Sequence, residues 1–321
     1  MKFLFCGLGS IGRRHLNILK KTGKHEFIAY RSGFSKNDFT EVDLVIKELD
    51  ELKNLNADAA LITNPTSLHI KTAIKIAEYG IPMFIEKPLD KNLENIDTLL
   101  TLVSGKNIPV LMGYNMIHHP GIRTLKRLIE EGRIGKAVSA KAQFGTYMPG
   151  WHPEENYKES YAAVPELGGG VVLTSIHEQN YLTDFFGDVT EIKSMEVGGN
   201  ITDIKSEEGV EILLKHKSGV VSNIHLNFFQ KPYYRTCQII GTEGTLFWDF
   251  MIPEVKIMKN GNTKIVKLGK DPMQLLDTSY TDQMNHFIDV INAVSKPAVP
   301  LMKGIEDLKT ALLILKEIRR N

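Results

Sequence analysis

Apolar runs of a few residues alternate with amphipathic stretches through the first third of the chain. Residues 3–6, 26–30, 59–63, 83–85 and 110–113 read as buried strands. Between them, 11–20 and 67–78 show helical spacing, the latter through Ile70, Ala73, Ile74 and Ala77 up to Gly80. A short helix is expected around 49–55 and a longer one over 93–103, ending near Gly105, while 32–41 is polar and reads as a surface loop. Strand–helix alternation of this kind builds βαβ units and hence a parallel sheet.

The pattern changes after about residue 135. A helix over 122–131, closed by Gly132, leads into 137–144, where apolar positions recur every second residue. Further strands are expected at 192–197, 210–216, 220–228, 236–240, 245–248 and 255–258. Turn signals separate them, among them Lys217-Ser218-Gly219, Gly241-Thr242-Glu243-Gly244 and Asn260-Gly261. One long helix over 171–186 interrupts the series, and helices over 282–294 and 305–319 close the chain. The expected fold is α/β: an N-terminal Rossmann domain with a doubly wound parallel sheet, then an α+β domain with a large, mostly antiparallel open sheet. The boundary is drawn between 1–116 and 117–321, the last helix being able to pack back on the first domain.

Composition adds mainly exclusions. Hydrophobic residues make up 42% and charged residues 24%, the profile of a globular chain. A net charge of +1 gives no bulk attraction for nucleic acid or an anionic membrane. Glycines at 7 and 9 and arginines at 13 and 14 interrupt the apolar start before it reaches signal-peptide length. No stretch approaches the roughly 20 apolar residues of a membrane span, and a cytoplasmic location is expected. The two cysteines, Cys6 and Cys237, lie far apart without metal-type spacing, so neither a disulfide framework nor a metal site is expected.

The chemistry starts at Gly7-Leu8-Gly9-Ser10-Ile11-Gly12, which follows a strand and opens a helix. Gly7 permits a tight turn, Gly9 lets backbone approach a pyrophosphate, and Gly12 allows helix to pack closely on strand. The free N–H groups at the helix start, from Ser10 and Ile11 onward, then face the phosphates. An NAD-preferring site usually carries an acid at the end of the second strand. This chain has Arg31 and Ser32 there, which suit a 2′-phosphate, so NADP is expected in preference to NAD. A solvent-facing arginine in a long loop is the plainer alternative.

Further strand ends carry Asn64-Pro65-Thr66-Ser67 and Glu86-Lys87-Pro88-Leu89. Then come Gly113-Tyr114-Asn115, His119-Pro120, Gly132-x-x-Gly135, Gly168-Gly169-Gly170, His177 and Ile240-Gly241-Thr242-Glu243-Gly244-Thr245. In this order and spacing the chain resembles the Gfo/Idh/MocA oxidoreductases, the family of glucose–fructose oxidoreductase and inositol dehydrogenase. Lys87 can be read without the family: Pro88 biases it toward extended backbone, at the carboxyl edge of the sheet where ligands bind. A lysine there can bond a substrate oxygen and exchange protons, though a surface lysine is the other reading.

The resemblance implies that Lys87 and His177 are the acid/base groups, with Glu86 supporting Lys87. It also implies that Asn64, Pro65, Thr66, His69, Glu86, Lys87 and Asn115 surround the cofactor, Asn115 also placing substrate or lysine. Trp151, His152, Tyr157 and Tyr161 offer aromatic faces and polar tips for a sugar-like ligand, or equally for another subunit. Many family members carry an aspartate one turn before the histidine; here Leu173 and Thr174 stand at that distance, and Thr174 can hydrogen-bond but holds no charge.

The implied reaction is hydride transfer between the nicotinamide and a secondary alcohol or ketone of a sugar, nucleotide sugar, sugar acid or cyclitol. Two other readings stay open: a dinucleotide-binding sensor without turnover, and an epimerase or lyase that holds its cofactor with no net redox change. A homodimer or homotetramer formed through the C-terminal sheet is expected, as in the family.

Overall fold

The computed structural model describes residues 1–31, 40–151 and 156–320. The expected loop over 32–41, with Ser32, and the candidate His152 therefore fall wholly or mostly outside the described residues. The chain divides into two compact units, one of residues 1–114 and 280–308 and the other of residues 115–279 and 309–321.

The first unit begins β1 (Lys2–Cys6), α1 (Ser10–Thr22), β2 (Glu26–Tyr30), β3 (Leu44–Ile46) and β4 (Ala59–Ile62). It continues α2 (His69–Glu78), β5 (Met83–Glu86), α3 (Ile96–Gly105) and β6 (Val110–Gly113). The six strands are parallel, in the order β3-β2-β1-β4-β5-β6. That is the doubly wound arrangement, with strand order reversing between β1 and β4. β4, β5 and β6 are buried at every position, which explains why they read as continuous apolar runs. Phe3, Phe5, Leu16, Leu19, Phe27, Leu61, Phe84 and Phe287 share one core, so the late segment contributes to this unit. β3 escaped the sequence pattern because two of its three residues are exposed.

The second unit begins α4 (Pro120–Glu130), β7 (Ala137–Tyr147), α5 (Val171–Thr174), α6 (His177–Phe186) and β8 (Val189–Glu196). β9 (Gly209–His216), β10 (Val221–Asn227), β11 (Phe229–Gly241), β12 (Thr245–Asp249), β13 (Ile252–Lys259) and β14 (Asn262–Lys267) follow. α7 (Pro272–Ile291) and α8 (Leu301–Ile318) each begin in one unit and end in the other. The eight strands run β14-β13-β12-β11-β7-β10-β9-β8, antiparallel except for β7 and β10. One face, with Ala140, Ala142, Ile212, Leu214, Ile224, Cys237, Ile239, Leu246 and Trp248, is buried. α4, α5 and α6 pack on this sheet. α4 starts on Pro120 with the ring of His119 accepting the Gly121 N–H at 3.0 Å, and a Cβ at Gly121 would collide with the Trp248 indole. The other face carries Met195, Leu213, Val221 and Ile265, all exposed, among charged and polar neighbours.

Three expectations need correction. The single helix over 171–186 is two: Ser175, at φ −104° and ψ 35°, leaves the helical region and separates α5 from α6. β11 starts at Phe229, seven residues before the expected 236, because its first half pairs irregularly with β7 around Pro232 and lacks alternation. α7 starts at Pro272 instead of 282; its first turns carry mixed polar residues, with Ser279 fully buried, so no apolar stripe announces them. β14 was not expected at all. It is an edge strand with no buried position, so burial left no mark on its sequence.

Candidate active site

Gly7 sits at φ +111°, a left-handed conformation that disfavours any side chain. It also lies flat on the end of β4: a Cβ there would stand 2.6 Å from the backbone nitrogen of Asn64. The Thr63 hydroxyl donates to the Gly7 carbonyl at 2.6 Å, and a Cβ on Gly12 would strike that same carbonyl. Gly7 and Gly12 are thus spent on packing the loop, whereas a Cβ on Gly9 would meet nothing within 4 Å among the described residues. Gly9 is the N-cap of α1 with no side-chain capping bond, and the first turn holds no acid. Ser10 is exposed and Ile11 half-buried. The thirteen-residue helix therefore starts at an open glycine with Ser10 exposed and no acid in its first turn, an arrangement suited to phosphate.

Asn64, at the other side of the β1/β4 switch point, donates its amide to Thr72 Oγ1 at 2.9 Å. Its buried Oδ1 finds no partner among the described residues. Such an acceptor, beside an open glycine loop and an uncapped helix, fits a bound dinucleotide that brings its own donors. Pro65 is exposed and Thr66 buried in the turn before α2. His69 is engaged on both sides: Nδ1 lies 2.8 Å from the Pro88 carbonyl oxygen and Nε2 2.9 Å from that of Asn64. Burial lowers its proton affinity, and the ring ties the two loops together. Arg31 follows β2 directly, its N–H donating to the Ile46 carbonyl at 2.9 Å.

Lys87 is half-buried, one residue beyond β5 at the same carboxyl edge, and its peptide bond to Pro88 is cis. Glu86 is buried; its Oε2 accepts the Lys87 N–H at 3.1 Å, and its Oε1 lies 2.7 Å from Nε2 of His15 on α1. His15 escaped the sequence reading, yet the signal was there: it is an ionisable residue in the buried stripe of α1 with Gly12, Leu16 and Leu19.

In the second unit, Gly168 and Gly170 take positive φ and bring the chain into the short α5, whose second amide, from Val172, donates to Glu207 Oε1 at 3.1 Å. Burial pushes the Glu207 carboxyl up to about 7, against that hydrogen bond, which favours the charged form. Thr174 closes α5, and His177 opens α6; both are buried. The next residue, Glu178, is fully buried, and Arg235 Nε donates to its Oε1 at 2.7 Å from the inward face of β11. Arg235 also lies over the Phe144 ring. Burial opposes its charge, but Glu178, with Tyr233 and Tyr181, restores it, so the guanidinium stays protonated. This pair, too, escaped the sequence reading, although Arg235 alternates with Cys237 and Ile239 on the inward face.

Several other candidates have structural engagements. Asn115 donates its amide to Ser279 Oγ at 2.9 Å. Trp151 donates to Thr146 Oγ1 at 2.7 Å and meets Phe228 edge-on. The Tyr157 hydroxyl donates to the Thr202 carbonyl at 3.0 Å, while Tyr161 is exposed. An open hollow of about 390 Å³ lies elsewhere, between the end of α4 and the β13–β14 hairpin, and holds none of these residues. Among the described residues, no group of three or more His, Cys, Asp or Glu could hold a metal ion.

Residues 1–114 match the model of an oxidoreductase family with an NAD-binding Rossmann fold, and residues 122–247 match the GFO/IDH/MocA C-terminal domain. The chain is 26% identical over 275 residues to 1,5-anhydro-D-fructose reductase of Ensifer adhaerens, covering 81% of this chain and 77% of that one. It is 25% identical over 276 residues to scyllo-inositol 2-dehydrogenase (NAD(+)) of Bacillus subtilis, covering 84% and 77%. A solved structure of levoglucosan dehydrogenase in complex with NADH and levoglucosan shares the fold with a TM-score of 0.85, at 15% identity, covering 100% of this chain and 97% of that one.

The Arg235–Glu178 pair yields a stability test. Arg235→Met strands a buried carboxylate and is expected to cost about 3–5 kcal/mol in urea unfolding, while Glu178→Met/Arg235→Met recovers most of it. A single-variant cost below about 1 kcal/mol would show that the pair does not hold α6 to β11.

Proposed function

Because the chain belongs to the Gfo/Idh/MocA family of NAD-binding oxidoreductases, we propose that it moves a hydride between a nicotinamide cofactor and a secondary alcohol or ketone of a sugar, nucleotide sugar, sugar acid or cyclitol. The carrying observation is local to the first unit. Lys87 stands at the same carboxyl edge as the open Gly9 loop, two strands away through β4 and β5, roughly 10 Å at ordinary strand spacing. The names of the relatives, an anhydrofructose reductase and an inositol dehydrogenase, support polyhydroxylated substrates.

When bound, the cofactor supplies or accepts the hydride. Gly9 and the first turn of α1 hold its phosphates, and Asn64 Oδ1 accepts a hydrogen bond from it. Lys87 and His177 hold the substrate oxygen and take or return the hydroxyl proton, with Thr174 as an uncharged hydrogen-bonding neighbour in the chain before His177. Pro65, Thr66 and Glu86 shape the cofactor's surroundings, and Trp151, Tyr157 and Tyr161 form part of the substrate's. Asn115, whose amide also bonds Ser279 Oγ, helps to place substrate or lysine, and His69 acts at one remove, by holding the backbone carbonyls of Asn64 and Pro88. Arg31 favours NADP through its charge. A second copy of this chain covers the open sheet face, where Met195, Leu213, Val221 and Ile265 would otherwise stay wet.

Three measurements test these assignments. Absorbance of NAD(P)H with scyllo-inositol, levoglucosan and 1,5-anhydro-D-fructose should reveal turnover, and Lys87→Ala should lower kcat by about 10²–10⁴-fold with cofactor affinity kept; full turnover in that variant sinks the reading. Arg31→Asp should reverse a preference for NADP over NAD in paired Kd titrations, and an unchanged ratio removes Arg31 from specificity. Leu213→Asp should lower the mass seen by sedimentation; an unchanged mass, or a wild-type monomer, rejects the sheet-to-sheet partner.

A further inference from the structure

His15 has no place in the reaction as described, and its surroundings show what it does. Its ring is fully buried on α1, edge-on to Phe84 at 5.0 Å and near Tyr280 at 6.0 Å. Nε2 meets Glu86 Oε1 at 2.7 Å, while Nδ1 finds no partner among the described residues. Glu86 uses its other oxygen to accept the backbone N–H of Lys87 at 3.1 Å. The neighbouring strand lies close against the carboxylate, where only glycine fits: a Cβ on Gly113 would stand 3.0 Å from Glu86 Cδ and 2.9 Å from Phe84 Cζ. The carboxylate is therefore held from both sides, by an imidazole on the helix that opens at Gly9 and by the main chain of Lys87.

A buried carboxylate is costly, and a well-packed apolar pair of the same shape would serve stability as well or better. The chain keeps both ionisable groups at the one place where a helix of the cofactor loop meets the residue before Lys87.

We propose that His15 is a positioning residue for Lys87: it fixes the Glu86 carboxylate on the Lys87 main chain, linking the helix of the glycine loop to the proton-handling lysine. This rests on the reading of Lys87 given above. Without the His15 donor the carboxylate turns from the Lys87 N–H, and the lysine loses both its backbone anchor and the fixed charge beside it.

The test uses the full chain and needs no identified substrate. Lys87 is labelled with trace acetic anhydride at fixed pH and its acetylation rate is read by mass spectrometry, with exposed Lys53 as the internal standard; NADPH affinity is measured in parallel by fluorescence. His15→Leu, apolar and without a donor, is expected to change the Lys87 rate by about threefold or more while NADPH Kd moves by less than about threefold. His15→Gln, whose terminal amide can place an N–H near the Nε2 position, should restore the wild-type rate. In a Glu86→Gln background, His15→Leu should add nothing, because the group it positions is gone. Equal labelling in the wild type, His15→Leu and His15→Gln, or an undiminished effect of His15→Leu in the Glu86→Gln background, overturns the proposal. So does a loss confined to NADPH affinity, which would make His15 a prop of the cofactor helix alone. If His15→Leu does not fold, His15→Asn, too short to reach Glu86, takes its place against His15→Gln with the same criteria. Failure of the lysine reading would be seen separately, as full turnover in Lys87→Ala.

Discussion

The first unit depends on the backbone-to-backbone contact between Gly7 and Asn64. β1 and β4 lie side by side where the strand order reverses, so the chains leaving them part and open a crevice. Gly7 closes the floor of that crevice by lying on Asn64 with no room for a side chain, and the Thr63 hydroxyl pins its carbonyl. Gly12 seats α1 on the same carbonyl. With those positions committed to packing, Gly9 and the uncapped first turn of α1 are left facing open space. Packing that fixes Gly7 and Gly12 lowers the ordering cost that a flexible loop would incur on binding.

Two buried side-chain contacts, one of a histidine and one of an arginine with a carboxylate, lie one residue from the two candidate acid/base groups. Glu86 precedes Lys87 and is held by His15; Glu178 follows His177 and is held by Arg235. Burying these groups costs desolvation, and each contact ties its segment to a distant element, β5 to α1 and α6 to β11. α6 shows the effect most clearly. His177 is its first residue, a position that would otherwise be prone to fray, and the Glu178–Arg235 contact ties that turn to β11.

The second sheet solves a different problem. Its inward face is filled by helices, and its outward face mixes exposed Leu213 and Met195 with Lys193, Glu211 and Lys141. A polar chain crosses that face, from Asn223 and His225 on Glu211 to Asn227 on His225.

What the sequence determined by itself was whatever local spacing encodes. Buried strands of the first unit were legible because both faces are covered, so nearly every residue is apolar; the glycine loop was legible because Gly7 and Gly12 leave no room for a side chain. Lys87 was open to two readings from its strand-end position, and His177 stood out only through the family resemblance; no helix in the described residues is long and apolar enough to cross a membrane. Tertiary structure decided the rest. The union of residues 280–308 with the first unit, and the order β11-β7-β10 in the second sheet, depend on partners far away in the chain. The same holds for the supports of the candidate site: His15 reaches Glu86 across 71 positions, and Glu178 reaches Arg235 across 57. A single sequence records periodicity and conformational tolerance at each position, but the partner of a buried charge is chosen only when the chain closes on itself.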